Sequence, residues 1–559
     1  MMKKILPLVL VFVCLSSCTK DLEEYFSRAD ELEMANGAQK DSNKEQKDSN
    51  QDQKDRNKDL GESADSLRNR IDSLLAAGDD PLKTKLLSME FLSSDNPTLN
   101  QNIKCEILGD SVVECWIPGL NANKQLIPHF EIQGNSITID GTGAISGTTK
   151  HDFRVPVPLV VTGADKTVKY MVYVHSYTGL PILKIDTEGE MPIISKEEYL
   201  TARMTLTEDV VTRSAGKTIT ADLQIKGRGN STWGLPKKPY RMKFFEKTSL
   251  LGESKDKSWV LLANYTDKSM LRNQLAFYLG QMSNLDWTPS GHFVEVILNG
   301  KYNGTYLLAE KIKVANHRVA VGDDGFLLEV EARAPNEDGS RYFFSNHIDY
   351  AIDISEPEVE FDDDNFNYIQ DYVLATEEAL FGPFFRDANE GWQRYIDLDS
   401  FVDWYLIHEI AKNEDSMFHY SCYMNLKRGG KLKMGPIWDF DIAFGNVKEK
   451  NTTAMKPEGL MLDWSQWYTR LFQDPVFVAK LKERYNYFYR HKTDLLSSIN
   501  RDAQYLRYSA QENQNKWGTF YHYTYKQYDI WGSYQNEVQS LKEWLNTRME
   551  WLKNYFDRL

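Results

Sequence analysis

The chain has 559 residues, 41% of them hydrophobic and 26% charged, an ordinary globular make-up that excludes a mainly disordered chain and a multi-span membrane protein. At about 150 residues per domain, two or three domains are expected. Its 66 basic and 81 acidic residues leave a net charge of −15, which argues against nucleic acid as a partner, because phosphate-backbone binding needs a basic footprint. The five cysteines are too few for a disulfide scaffold, and no CxxC or Cys/His cluster suggests zinc.

Lys3 and Lys4 precede an apolar stretch, Ile5 to Leu15, shorter than the ~20 residues that span a bilayer. Residues 1–17 therefore read as a signal peptide. Leu15-Ser16-Ser17-Cys18 resembles a bacterial lipobox, in which the thiol of Cys18 accepts a diacylglyceryl group. An ordinary secretory signal with a chance cysteine is the alternative. The lipid reading puts the protein at the bacterial cell envelope, held by its anchor. Thr19, where known lipoprotein sorting would need Asp for retention, permits the outer membrane or cell surface.

Residues 18–80 read as a polar tether. Within 39–59 stand three near-copies of a heptad-length unit that starts Gln-Lys-Asp. None holds an apolar residue, so no coiled-coil seam can form. Leu60, Leu67, Ile71 and Leu74 then recur at helical spacing, either as one docked helix or as a pairing face for another chain.

Residues 81–180 lack helical periodicity and show short β-rich runs at 111–116, 136–139 and 168–174. The expectation is a small all-β immunoglobulin-like sandwich that serves as spacer or adhesion module. Cys105 and Cys115 flank Gly109-Asp110. A three-residue loop would set them opposite each other across a hairpin; a disulfide and two free buried thiols are both open.

From 181 to 559, helix and strand patterns mix. A strand at 222–226 runs into Gly227-Arg228-Gly229-Asn230, and an alternating strand follows at 240–245. A glycine turn beside lysine-bearing strands can cradle phosphates, although a tight hairpin with a basic rim would look the same. A helix is expected at 268–282, and a hairpin over 293–308 turns at Asn299-Gly300. Another strand covers 326–331, and an amphipathic helix spans 400–412. That helix ends at Asn413-Glu414-Asp415. Two strands, 421–427 and 431–438, then deliver Asp439-Phe440-Asp441. A carboxylate after a helix, then a hairpin, then a second carboxylate is the order of a protein-kinase core. There the first Asp takes the substrate hydroxyl proton and the second holds magnesium.

Several motifs keep one family's order: Gly227-Arg228-Gly229-Asn230-Ser231-Thr232-Trp233, Lys237-Lys238-Pro239-Tyr240, Leu271-Arg272-Asn273, Asn413-Glu414-Asp415 and Trp438-Asp439-Phe440-Asp441. Together they resemble the spore-coat protein H (CotH) kinase family. The resemblance implies an α+β fold, an atypical bilobal protein-kinase-like domain with a helical C-terminal part. It implies ATP and Mg2+ as cofactors, and Ser/Thr of surface or secreted proteins as substrate. By matched position, Asp415 resembles the catalytic Asp and Asp439 the metal-binding Asp, with Asp441 sharing the metal. Arg228, Asn230 and Lys238 resemble the phosphate side. Lys243 competes with Lys238 because strand register is open, and Glu310 is a candidate partner for such a lysine.

Tyr420 stands five residues after Asp415, where the kinase pattern has a second metal-binding Asn. A catalytically inactive surface interaction or adhesion lipoprotein, a pseudokinase scaffold that binds glycan or matrix, is therefore the rival reading. His408 and Cys422 read as packing residues, while His419 stays open between packing and chemistry. A packed C-terminal helix is expected from Gln535, and the Tyr-rich stretch before it is a candidate groove wall.

Overall fold

In this computed structural model, residues 84–559 are described, except 100–101, 110, 119–123, 209–217, 448–452 and 525–528. The signal peptide, Cys18 and the tether lie outside the described residues.

The β-rich reading of the first described segment is matched by strands throughout 85–177. A three-stranded sheet sets Lys85–Phe91 between Ile103–Lys104 and His129–Gln133. In a second, six-stranded sheet, Thr167–Tyr177 pairs in parallel with Val112–Pro118 and antiparallel with Val157–Thr162. Phe91, Cys115, Ile139, Leu159 and Val172 are fully buried in one core between these strands. Glu106 faces Glu114 in the 106–114 hairpin. That register brings Cys105 and Cys115 opposite each other, and they form a disulfide with a Cα–Cα distance of 4.4 Å.

The next seven strands are β1 (Ile182–Thr187), β2 (Leu200–Thr207), β3 (Thr218–Gly227), β4 (Tyr240–Thr248), β5 (Asp256–Leu262), β6 (Gly291–Leu298) and β7 (Lys301–Glu310). They close into a barrel in the order β1-β2-β3-β4-β5-β7-β6. The closing pair, β1 with β6, is parallel. Period-two alternation explains the interior. On β4, Tyr240, Met242 and Phe244 are buried with Leu223, Ile225 and Leu308, while Lys243 and Phe245 are exposed.

The barrel's outer face on β5 and β7 is apolar as well. Val260, Leu262, Leu307 and Ala309 join a second, larger core with the rest of the chain. That part begins with helix α1 (Arg272–Gln281), four residues later than expected. The delay has a local cause: the Asp267 carboxylate accepts the backbone N–H of Ser269 and of Arg272, a side-chain turn that competes with helix.

A five-stranded sheet follows, with β8 (Phe326–Val330), β9 (Tyr342–Phe343), β10 (Ile352–Glu356), β11 (Cys422–Leu426) and β12 (Lys433–Met434). Its order is β9-β10-β8-β11-β12. The strand expected over 431–438 stops at Met434 because Pro436 brings no N–H to a ladder.

Helices α2 (Asp364–Phe381), α3 (Leu398–Ala411), α4 (Gln466–Leu471), α5 (Pro475–Arg490), α6 (Lys492–Tyr505), α7 (Arg507–Trp517) and α8 (Tyr534–Arg558) complete the fold. The mixed α+β class and the C-terminal helix are thus as expected.

Helix α3 is not the one-faced amphipathic helix expected at 400–412: it is buried on every side from Ser400 to Ala411, which is the setting of a helix whose apolar residues are not confined to one stripe. Asp403, His408 and Glu409 are each accommodated differently. Asp403 takes a two-pronged bond from Arg484, at 2.8 and 2.7 Å. His408 lies between Trp404 and Phe440, and burial drives its pKa down to about 3, so it packs as a neutral ring. Glu409 pairs with Arg548 of α8 at 2.7 Å, both fully buried. Arg548 also donates to the carbonyls of Pro457 and Gly459, and Glu409 accepts the N–H groups of Met461 and Leu462. This seam fastens the segment after Asp441 to the last helix.

Removing one partner of such a pair leaves a buried charge. Arg548→Met is expected to cost about 3–5 kcal/mol in urea unfolding. Glu409→Leu combined with Arg548→Met should recover only part of that loss, because the N–H groups of Met461 and Leu462 stay without their acceptor.

Candidate functional site

A cavity of about 420 Å³ opens where the ends of β3, β4 and β5 meet the five-stranded sheet. The glycine turn after β3 forms one wall. Here the glycines are required by contact: a Cβ on Gly227 would lie 2.3 Å from the Trp233 ring. Gly229 has φ +80°, and a Cβ there would meet the Thr232 hydroxyl at 2.2 Å. Arg228 and Asn230 line this wall, and the Arg228 guanidinium lies 5.6 Å from the centre of the Trp438 ring.

Asp415, Asp439 and Asp441 line the same cavity. The two motifs meet through Asn413. Its Oδ1 accepts the N–H of Asp415 at 3.3 Å, and its Nδ2 donates to the Asp439 carbonyl at 3.1 Å and to Ser416 Oγ at 2.9 Å. From the barrel side, Asn273 Oδ1 accepts the N–H of Phe440 at 2.9 Å, and Asn273 Nδ2 donates to Asn264 Oδ1 at 3.3 Å. Asn446 Nδ2 donates to the carbonyls of Asp441 and Thr266, while the Thr266 hydroxyl donates to Asp441 Oδ2 at 2.5 Å.

Arg272 adds a buried bond from Nε to the Ala443 carbonyl and pairs with Asp267. Seven of the twelve non-glycine residues with positive φ among those described frame this region: Asn264, Met270, Lys412, Phe418, Ser421, Asp439 and Phe444. Such backbone strain persists where surrounding contacts over-determine it, and it clusters at functional sites.

The opposite wall is acidic. Glu329 of β8, Glu331, Glu337 and Asp353 of β10 line it, with Arg333 forked onto Glu331 at 2.7 Å on both prongs. Burial, then the neighbouring Glu331, pushes the pKa of Glu329 up to about 8. Tyr423 faces it across the β8–β11 ladder and hydrogen-bonds it. Burial pulls the Arg228 guanidinium down from its ordinary value, with Asp439 the leading carboxylate that opposes this. It stays cationic, since arginine does not deprotonate in proteins.

The other expected residues separate. Lys238 spends its ammonium on the Trp233 carbonyl at 2.6 Å, over the Trp233 ring, and does not line the cavity. Lys243 sits on the exposed side of β4 because its neighbours Met242 and Phe244 face the barrel core. Among the described residues Glu310 pairs with no lysine; it lies 3.4 Å from Arg318 and accepts the N–H of Ser290.

Lys237, one residue earlier than expected, lines the cavity and is almost fully buried. It donates to the Thr305 carbonyl and to Asn513 Oδ1, and burial lowers its pKa to about 7. His419 stacks between Tyr350 and Tyr420, with ring centres 3.9 and 4.0 Å away, and only Tyr420 of the three lines the cavity. Cys422 is a buried free thiol. None of the described residues of the Tyr-rich stretch before α8 lines the cavity.

The sequence reading missed Asn273, Glu329, Glu331, Arg333 and Tyr423. The Leu-Arg-Asn motif signalled the first; the others reach the cavity only through sheet pairing.

Among the described residues no three carboxylate, imidazole or thiolate groups gather into a metal cage. Asp439 and Asp441 offer the one or two carboxylates with which magnesium sites also using substrate phosphates are built, and their all-oxygen donor set fits that ion.

The family described as CotH kinase protein matches residues 225–552. The chain belongs to this family, which indicates a kinase-like function. No curated protein matches the chain. Two solved structures from Bacteroides share segments with it. One is a proposed glycoside hydrolase of Bacteroides thetaiotaomicron VPI-5482, 17% identical, with 33% of this chain and 52% of that chain covered and a TM-score of 0.15. The other is a DUF4623 family protein of Bacteroides eggerthii DSM 20697, 8% identical, with 33% and 58% covered and a TM-score of 0.14. The chain spans little more than half the length of either, and at these scores neither bears on fold or activity.

A raised Glu329 pKa has a stability signature. Between the ordinary value near 4.5 and about 8, the unfolded carboxyl ionises while the folded one keeps its proton. Wild-type stability therefore falls as pH rises through that window. Glu329→Gln removes the effect, so it should raise the melting temperature at pH 7.5 and change it little at pH 4.5, a difference of about 2 kcal/mol once partial exposure is allowed for.

Proposed function

We propose that this protein is an ATP-dependent phosphotransferase that moves the γ-phosphoryl group to a Ser or Thr hydroxyl of a surface or secreted protein. The supporting observation is that Asp415 and Asp439, 24 positions apart in sequence, line one cavity together with Arg228. Asp415 orients the acceptor hydroxyl and takes its proton. As the hydroxyl oxygen bonds to the γ-phosphorus, the bond to the β–γ bridging oxygen breaks and ADP leaves. Asp439 and Asp441 are the residues that would hold Mg2+, which when bound offsets phosphate charge. Arg228 and Asn230 face the phosphates from the glycine turn. Such a site works by positioning and charge neutralisation rather than through a covalent enzyme intermediate.

In this reading residues 181–559 form a bilobal kinase-like domain, with the barrel in the place of the smaller lobe. Residues 81–180 are an immunoglobulin-like spacer, and 18–80 a tether. A lipid on Cys18 holds the protein at the bacterial envelope, on the outer membrane or cell surface.

Tyr420, in the place of a second metal-binding Asn, favours the rival reading of a non-catalytic scaffold for glycan or protein partners.

Incubation with magnesium and γ-labelled ATP decides between them. The kinase reading expects labelled protein hydroxyls, a loss of at least about 100-fold in Asp415→Ala, and a similar loss in Asp439→Asn with weaker ATP-induced thermal stabilisation. Neither label nor thermal shift would leave the scaffold; a shift without label would mean a nucleotide-binding pseudokinase.

A further inference from the structure

A second cavity, of about 370 Å³, shares no lining residue with the first. The two divide at the first turn of α1. Asn273 faces the site already described and Gln274 faces this one, as successive helical positions, turned about 100° apart, allow. The other walls are the start of β6 with His292 and Phe293, the turn after β4 with Leu251, and the end of α6 with Asp502 and Tyr505. The size falls in the range of about 300–1,000 Å³ usual for small-molecule sites.

The lining holds hydrogen-bonding groups that the fold leaves partly unused. A Cβ on Gly291 would lie 2.7 Å from Gln274 Oε1, so the glycine gives the carboxamide its place. That oxygen accepts nothing among the described residues, and a buried acceptor without a donor calls for an explanation. His292 is fixed through one nitrogen: Nε2 lies 2.8 Å from Glu253 Oε1. The same bond leads in holding the Glu253 pKa below its ordinary value. With Glu253 ionised, Nε2 carries the proton, and the neutral ring presents Nδ1 as an acceptor. The Asp502 side chain is only 18% exposed, with Arg501 Nε 3.1 Å from Oδ1. Burial raises its pKa against the pull of Arg501, which marks a carboxylate short of donors. Leu251 is held in the left-handed region at φ +51°, the kind of strain that clusters at functional sites.

Three properties narrow the ligand. Among the described residues no lysine or arginine lines the cavity, whereas Asp502 and Glu208 do, so phosphates and other anions are repelled. The unused groups are acceptors, which ask for a ligand rich in O–H. Beside them lie apolar surfaces, Leu251, Phe293 and the Tyr505 ring, the last 40% exposed. A sugar ring combines a rim of hydroxyls with a C–H face. We propose that this cavity binds a neutral saccharide, with adjacent hydroxyls donating to Asp502, others bonding to Gln274 and His292, and a C–H face resting on Tyr505. Two neighbouring O–H groups match the two oxygens of a carboxylate, and bonds to an ionised acceptor are the strong ones. The site does not depend on the phosphotransferase reading.

Saturation-transfer NMR and calorimetric titration of the purified full-length protein test this, with the methyl glycosides of glucose, galactose, mannose and N-acetylglucosamine as probes. At least one should bind. Asp502→Asn should weaken it about tenfold, the loss of one charge-assisted bond, while Asp415→Asn binds it at wild-type strength. Should Asp502→Asn melt early, Tyr505→Ser decides instead: its exposed ring can be removed without opening a core, and the affinity must fall by a similar factor. No binding of any of the four, or equal binding by the wild type and both of these variants, overturns the proposal. Binding lost in Asp415→Asn overturns it too, by placing the sugar in the catalytic cavity. So does Asp502-dependent binding of putrescine with no saccharide bound, which would make this an amine site. Labelled hydroxyls without saccharide binding leave the kinase reading standing and end this one; saccharide binding without any label does the reverse.

Discussion

The carboxamide of Asn413 is the joint on which the site depends. Two acidic segments, one after α3 and one after a hairpin, have no backbone reason to meet. A single neutral side chain accepts from one and donates to the other, and a second carboxamide, Asn273, ties the result to the barrel end of α1. Amides are suited to this work. Burying a satisfied amide costs far less than burying a charge, so the loops are positioned without adding a further cation or anion beside the acidic groups. The strained left-handed residues around them, Asp439 included, are held by these same bonds.

The cavity has two electrical halves. Arg228 and Lys237 belong to the barrel side, whereas Glu329, Glu331 and Asp353 belong to the sheet. Packing between them is apolar, through Val260, Leu262, Leu307 and Ala309 on the barrel side. The opposed charges are thus brought close by hydrophobic burial rather than by ion pairing. That leaves their fields available to a ligand, and in a partly desolvated cleft those fields are little screened.

Much of this was legible in the residues themselves. Alternation located β4, the Asn-Gly turn located the β6–β7 hairpin, and the helix–carboxylate–hairpin–carboxylate order located Asp415 and Asp439. These are local signals. Barrel closure was not legible, because the parallel β1–β6 pair joins strands about a hundred residues apart and no local pattern records that partnership. Register failed for the same reason. Lys243 lies on β4, where alternation turns it away from the barrel core, whereas Lys237 and Lys238 precede that strand, and no strand period says which of the two turns inward. Glu329 and Tyr423 look like ordinary strand residues until the β8–β11 ladder sets them face to face. The start of α1 was misjudged through a single competing side chain, Asp267.

The buried pair between Glu409 and Arg548 has a consequence for how the molecule comes into being. A ribosome releases the chain from its N-terminal end, so Glu409 emerges more than a hundred residues before the arginine that neutralises it. A protein cut short before α8 would possess every acidic residue of the cavity, yet the carboxylate buried in α3 would lack its cation and residues 457–462 would lose their tie to the last helix.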